Sequence, residues 1–130
     1  MHLVCEKNDF AFFNFRSEAP LLPDNLQDYH LAFRLAVSKD APSTGGWELV
    51  GRVELKSAYT VPAKYLHKPV GSDDFFIYSA GEEKLASKED CRGLEIMATW
   101  FPHHVEERLE DYFAGRESKY VIAIKKQLGI

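Results

Sequence analysis

At 130 residues, with 45% hydrophobic and 13% aromatic side chains, the chain has the composition of one folded domain over 1–130. That length buries about two-thirds of the unfolded chain's surface, with no need of a disulfide or metal. The formal charge is only -4, but eleven acids stand against four bases over 72–111, a field that repels phosphate and argues against nucleic-acid binding. Cys5 and Cys91 have no CxxC spacing, and neither a secretory leader nor a membrane-length apolar run is readable, so a reduced, cytoplasmic protein that touches no membrane is expected.

The first apolar run, 10–15, places Phe10, Phe12, Phe13 and Phe15 on both sides of an extended chain, which predicts a strand covered on both faces. Residues 17–28 hold Pro20 and Pro23 among polar side chains and read as a loop with one helical turn near Asp24. Over 31–38, Leu31, Phe33, Leu35 and Val37 alternate with Ala32, Arg34, Ala36 and Ser38, the pattern of a half-buried strand. Turn chemistry follows over 39–46. Trp47, Leu49, Gly51, Val53 and Leu55 then alternate with Glu48, Val50, Arg52 and Glu54. This predicts a second long strand antiparallel to the first, with Gly51 leaving room for a neighbour such as Trp47.

After an irregular crossing over 56–72, the runs 75–79 and 84–86 flank Ala80-Gly81 as a hairpin, with Gly81 at positive φ and Glu82 and Glu83 at the tip. Ser87, followed three residues later by Asp90, caps a helical turn over 88–92. An amphipathic helix starts at Pro102 and stops at Gly115. Its core side carries Val105, Leu109, Tyr112 and Phe113, and its solvent side Glu106, Glu107, Glu110 and Asp111. The β-branched run 119–124 is expected to supply a last strand. The whole predicts an α+β fold, with a mainly antiparallel, partly barrel-like sheet and one principal C-terminal amphipathic helix.

No catalytic, metal or cofactor site is expected. His103 and His104 are adjacent, so on a helix they diverge by about 100° and do not share a metal as an i, i+4 pair would. His103 is expected at the surface and His104 in a structural role. Asp73-Asp74 reads as a solvated turn, Cys91 as a structural thiol, and Gly45-Gly46 lacks the Lys-Ser/Thr pair of a phosphate loop.

The segments LAFRLAVSKDAPSTGGWELVGRVEL (31–55), FFIYSAGEEKLASKEDCRGLE (75–95) and MATWFPHHVEERLEDYFAG (97–115) resemble, in that order, the immunity protein 26 family of bacterial polymorphic toxin systems. The most specific part is the pattern Trp100, Pro102, His104-Val105-Glu106, Arg108-Leu109, Asp111 and Gly115. The resemblance implies a non-enzymatic protein, without cofactor, that binds and neutralises a cognate toxin inside the producer cell. It makes Trp47, Gly51, Trp100, His104 and Arg108 architectural.

Charge makes Glu82, Glu83, Glu106, Glu107, Glu110 and Asp111 the candidate partner-binding surface, with a basic nuclease as the simplest toxin. Members of that family begin with a further β-hairpin that this chain does not match. The edge of the strand at Phe10 to Phe15 is therefore expected to be open to a second copy, giving a homodimer, or to a partner's strand. Two other readings stay open: an adaptor or regulatory domain that binds a cellular protein through a β edge, and, with least support, a small hydrolase.

Overall fold

The aromatic run near the start of the chain becomes the middle strand of a three-stranded antiparallel sheet. The structure is a computed structural model that describes every residue except Met1 and Lys7, with side chains from Asn8 onward. The chain forms two compact units, Met1–Val61 with Thr99–Val105, and Pro62–Ala98 with Glu106–Ile130.

In the first unit β1 (His2–Glu6), β2 (Asp9–Phe13) and β3 (Leu31–Ala36) lie in the order β1-β2-β3. All five residues of β2 are buried, as the two-sided aromatic pattern requires. Phe12 lies opposite Phe33, with ring centroids 5.2 Å apart, while Phe13 packs in a separate cluster with Ala11 and Leu26. Phe33, Leu35 and Val37 are buried as expected from their alternation. The open edge expected at Phe10 to Phe15 is not found, because β1 pairs with one side of β2 and β3 with the other. A homodimer through that edge has no free ladder to use.

The strand expected over 47–55 is also absent. The chain runs irregularly between two short helices, α1 (Ala41–Thr44) and α2 (Ser57–Thr60), and Leu49 is 74% exposed. At the end of β3, the ladder position that this segment needed is taken by Trp100. Its N–H donates to Ala36 O at 3.0 Å, and Ser38 N–H donates to Trp100 O at 2.9 Å. Trp47 N–H donates to Pro42 O at 2.8 Å, Leu55 packs on the Ala11, Phe13 and Leu26 cluster, and the side chain of Gln27 holds the end of the segment. Gln27 Nε2 donates to Glu54 O at 2.9 Å, and Lys56 N–H donates to Gln27 Oε1 at 2.7 Å. The neighbour for which Gly51 makes room is Leu22, 2.7 Å from where a Cβ would stand, and not Trp47.

The second unit carries β4 (Tyr65–His67), β5 (Phe75–Ser79), β6 (Glu82–Ala86) and β7 (Glu95–Ile96), in the order β6-β5-β4-β7 with β4 and β7 parallel. The β5–β6 hairpin turns at Ala80 and Gly81, both at positive φ (52° and 79°), the conformation of a two-residue type I′ loop. Ser87 and Asp90 form the expected reciprocal cap: Asp90 N–H donates to Ser87 Oγ at 3.1 Å and Ser87 N–H to Asp90 Oδ2 at 3.3 Å.

Helix α3 (Pro102–Phe113) is followed by Gly115 at φ 73°, the left-handed stop that its sequence position predicts. The strand expected over 119–124 is a helix, α4 (Lys119–Leu128). Ser118 caps it by accepting from Val121 N–H, and Gly129 at φ 73° ends it. Val121, Ile124 and Leu128, at helical spacing, pack on Leu66, Cys91 and Ile96. Caps and burial of that stripe outweigh the modest preference of β-branched residues for strands. The architecture is α+β, with two mainly antiparallel sheets and two C-terminal helices; no closed barrel forms among the described residues.

Candidate functional site

All six candidate acids belong to the second unit, on β6 and α3. The β5–β6 turn exposes Glu82 and Glu83. Glu83 Oε1 is bonded to His67 Nδ1 on β4, and the His67 ring sits 6.1 Å from that of Phe76 on β5. On α3, Glu106 and Glu110 are exposed, whereas Glu107 and Asp111 are only half so. The difference comes from the chain after Gly115, which folds back on the helix. Arg116 Nη2 reaches Asp111 Oδ1 at 3.1 Å, Lys119 Nζ reaches Glu107 at 3.2 Å, and Tyr120 OH donates to Glu107 Oε2.

Charge counted over 72–111 therefore overstates the acidity of this surface, because two of its neutralising cations come later in sequence. The signal that could have found them is positional: a glycine stop directly after the acidic helix, followed within four residues by Arg116 and Lys119. Glu107 also shapes the titration of its neighbours. The hydrogen bond to Glu107 is the main cause that holds both the Tyr120 phenol and the Lys119 ammonium above their ordinary values, with the charge of Glu107 adding to it. Exposed carboxylates of this kind accept charge-assisted hydrogen bonds from arginine or lysine on another protein.

The five residues read as architectural all sit in structural contacts. Trp47 packs against the rings of Phe10 and Phe12 at 6.2 and 6.5 Å. Trp100 is buried beside β3, and Gly51 admits Leu22. His104 is half-buried, with its ring 6.1 Å from Phe101, and His103 is exposed. Arg108 makes a fork to Glu95, Nη1 to Oε1 at 2.7 Å and Nη2 to Oε2 at 2.9 Å, with both side chains largely buried. Its counterpart in the first unit, which sequence reading did not single out, is the fork of Arg34 on Asp9 at 2.6–3.0 Å, with a further bond from Arg34 Nη2 to Val61 O at 2.8 Å.

Cys91 is 3% exposed; burial first, and the nearby charge of Asp90 second, push its thiol above the ordinary value, so its thiolate is disfavoured. Among the described residues no group of three or more His, Cys, Asp or Glu is placed to hold a metal ion, and no helix is long and apolar enough to cross a membrane. Comparison with family models, curated proteins and solved structures found no match to this chain.

Proposed function

We propose that the protein is an immunity protein, a non-enzymatic cytoplasmic binder that neutralises a cognate bacterial toxin and so protects the producer cell. The resemblance of 31–55, 75–95 and 97–115 supports this reading. The observation that carries it is the set of exposed carboxylates on the second unit, Glu82 on β6 and Glu106 and Glu110 on α3, a surface of the sign that meets a basic protein such as a nuclease. Charges placed at the rim of an interface act mainly on the rate of encounter.

The test is co-expression with the toxin-like product of the adjacent reading frame, scored by cell survival and by co-purification. Survival with a stable complex is expected, and cell death beside soluble, folded protein overturns the reading. Replacing Glu82, Glu106 and Glu110 together by lysine is expected to slow association about tenfold at low salt and far less at physiological salt, as read by stopped-flow fluorescence. The exposure of β6 at a sheet edge also favours a second reading, an adaptor that binds a cellular protein through that edge.

A further inference from the structure

β6 ends its sheet, and no strand pairs with its outer side among the described residues. Which of its backbone groups face outward follows from the turn. A two-residue loop makes Ser79 and Glu82 a hydrogen-bonded pair, and such pairs then alternate along the hairpin. Ile77–Lys84 and Phe75–Ala86 are hence bonded pairs, while Tyr78–Glu83 and Phe76–Leu85 are not. The N–H and C=O of Glu83 and Leu85 consequently point away from β5, toward the open edge.

The side chains of Glu83 and Leu85 also share one face, with Phe76 and Tyr78 as their cross-strand neighbours. The opposite face, through Phe75, Ile77 and Ala86, is packed on the cluster that includes Val121 and Ile124 of α4. On the first face Leu85 is 71% exposed, and Glu83 is steadied by His67. Charges alone are a common way to protect a sheet edge from unwanted pairing. A leucine exposed beside Glu83 works against that protection, while completing a surface for a strand that carries an apolar and a basic residue two positions apart.

We infer that β6 is a docking edge for an extended segment of a basic partner, added as a fifth strand, with arginine or lysine set opposite Glu83 and an aliphatic residue opposite Leu85. The inference rests on the partner-binding reading above and names its surface. A second copy of this chain meets like charges when antiparallel pairing is centred on Glu83 or on Lys84, and avoids them only when centred on Leu85, a register that leaves Glu83 opposite Ser87 without a cation on that face.

The probe is a nine-residue peptide with threonine at odd positions and arginine and valine alternating at even ones; its control has glutamate in place of arginine. In an NMR titration of the full chain, the arginine peptide is expected to shift Glu82 to Ala86 selectively and to slow exchange of the Glu83 and Leu85 amides about tenfold at saturation. Leu85→Pro removes only an outward N–H, so it spares the β5–β6 ladder and is expected to weaken binding at least tenfold. Glu83→Gln leaves the edge intact and is expected to weaken it about threefold.

Equal binding of the two peptides, shifts that lie elsewhere, or indifference to both substitutions overturns the inference. So does a dimer in light scattering that Leu85→Pro dissolves, since the occupant is then a second copy. In the co-expression assay, a toxin complex that forms equally with Leu85→Pro removes the edge and leaves the immunity reading standing. Cell death with the unaltered chain removes the immunity reading, and the peptide titration still decides the edge.

Discussion

Two stretches of this chain have the sequence character of strands, 47–55 by alternation and 75–86 by apolar runs around a turn, yet only the second is built of strands. The second has its pairing partner two residues away, delivered by the Ala80-Gly81 turn, so its backbone is satisfied by a local ladder. The first would have to find a distant partner. The end of β3 is occupied by Trp100, and the segment and the residue after it exchange hydrogen bonds with the side chain of Gln27 instead. Alternation states which residues share a face; an available partner decides whether a strand exists.

The sharpest change acts just beyond the far end of the irregular region, at Arg34, which ties the chain after α2 to the sheet. Its guanidinium holds Asp9 in a fork and donates to Val61 O, and the two charged side chains are 13% and 12% exposed. Arg34→Met leaves the Asp9 carboxylate nearly buried without its cation and is expected to cost about 3 kcal/mol, read as a lowered urea midpoint. Gly45→Ala acts at the start of the same region. A Cβ there meets Ala41 O and Pro102 Cβ at 2.8 Å, so a loss of about 2 kcal/mol is expected in the same assay.

Two smaller changes sharpen the contrast by acting on one stretch each. Gln27→Ala removes both side-chain bonds to 54–56. It is expected to cost about 1 kcal/mol and to speed amide exchange in the segment while β5 and β6 keep their protection. Ala80→Asn replaces a residue held at φ 52° by one that tolerates the left-handed region, and is expected to stabilise the hairpin by roughly 0.5–1 kcal/mol, seen as a higher melting temperature.

What was legible in the sequence were the features whose cause is local. The hairpin turn at Ala80-Gly81, the Ser87–Asp90 cap, the stop at Gly115 and the burial of Phe33, Leu35 and Val37 each depend on residues a few positions apart. Gly45 looked like a turn glycine, but its φ of −85° is open to any residue; space beside Pro102 is the reason for it, and that contact is nearly sixty positions away. The Asp9–Arg34 fork is long-range in the same way. The error at 119–124 was different, since the deciding signals, Ser118 before and Gly129 after, were in plain view. There the two caps and the Val121, Ile124, Leu128 stripe outweigh strand propensity. The candidate surface was half legible: the acids are where the pattern places them, but their pairing with Arg116, Lys119 and Tyr120 depends on how the chain turns after the helix.

That last contact resembles the irregular region rather than the hairpin, because side chains alone connect α4 back to α3, and it supports the smallest prediction. The Lys119–Glu107 pair is well exposed, at 64% and 40%, so Glu107→Ala is expected to leave thermal stability at pH 7 almost unchanged. The small contribution that is lost stands in full at pH 7 and fades at alkaline pH, so its signature is the pH dependence rather than the loss at pH 7. Glu107 holds the protonated forms of Tyr120 and Lys119 through hydrogen bonding and charge, so in the range between the ordinary and the raised values the folded chain binds more protons than the unfolded one. Their contribution is complete below the ordinary values and is lost as pH rises through the raised ones. Removing Glu107 should bring the Tyr120 transition down toward that of a free tyrosine, followed by the ¹³Cζ shift of its ring, and should flatten the loss of stability across that window. A Tyr120 transition that stays where it is in the unaltered chain would detach α4 from α3 at this point.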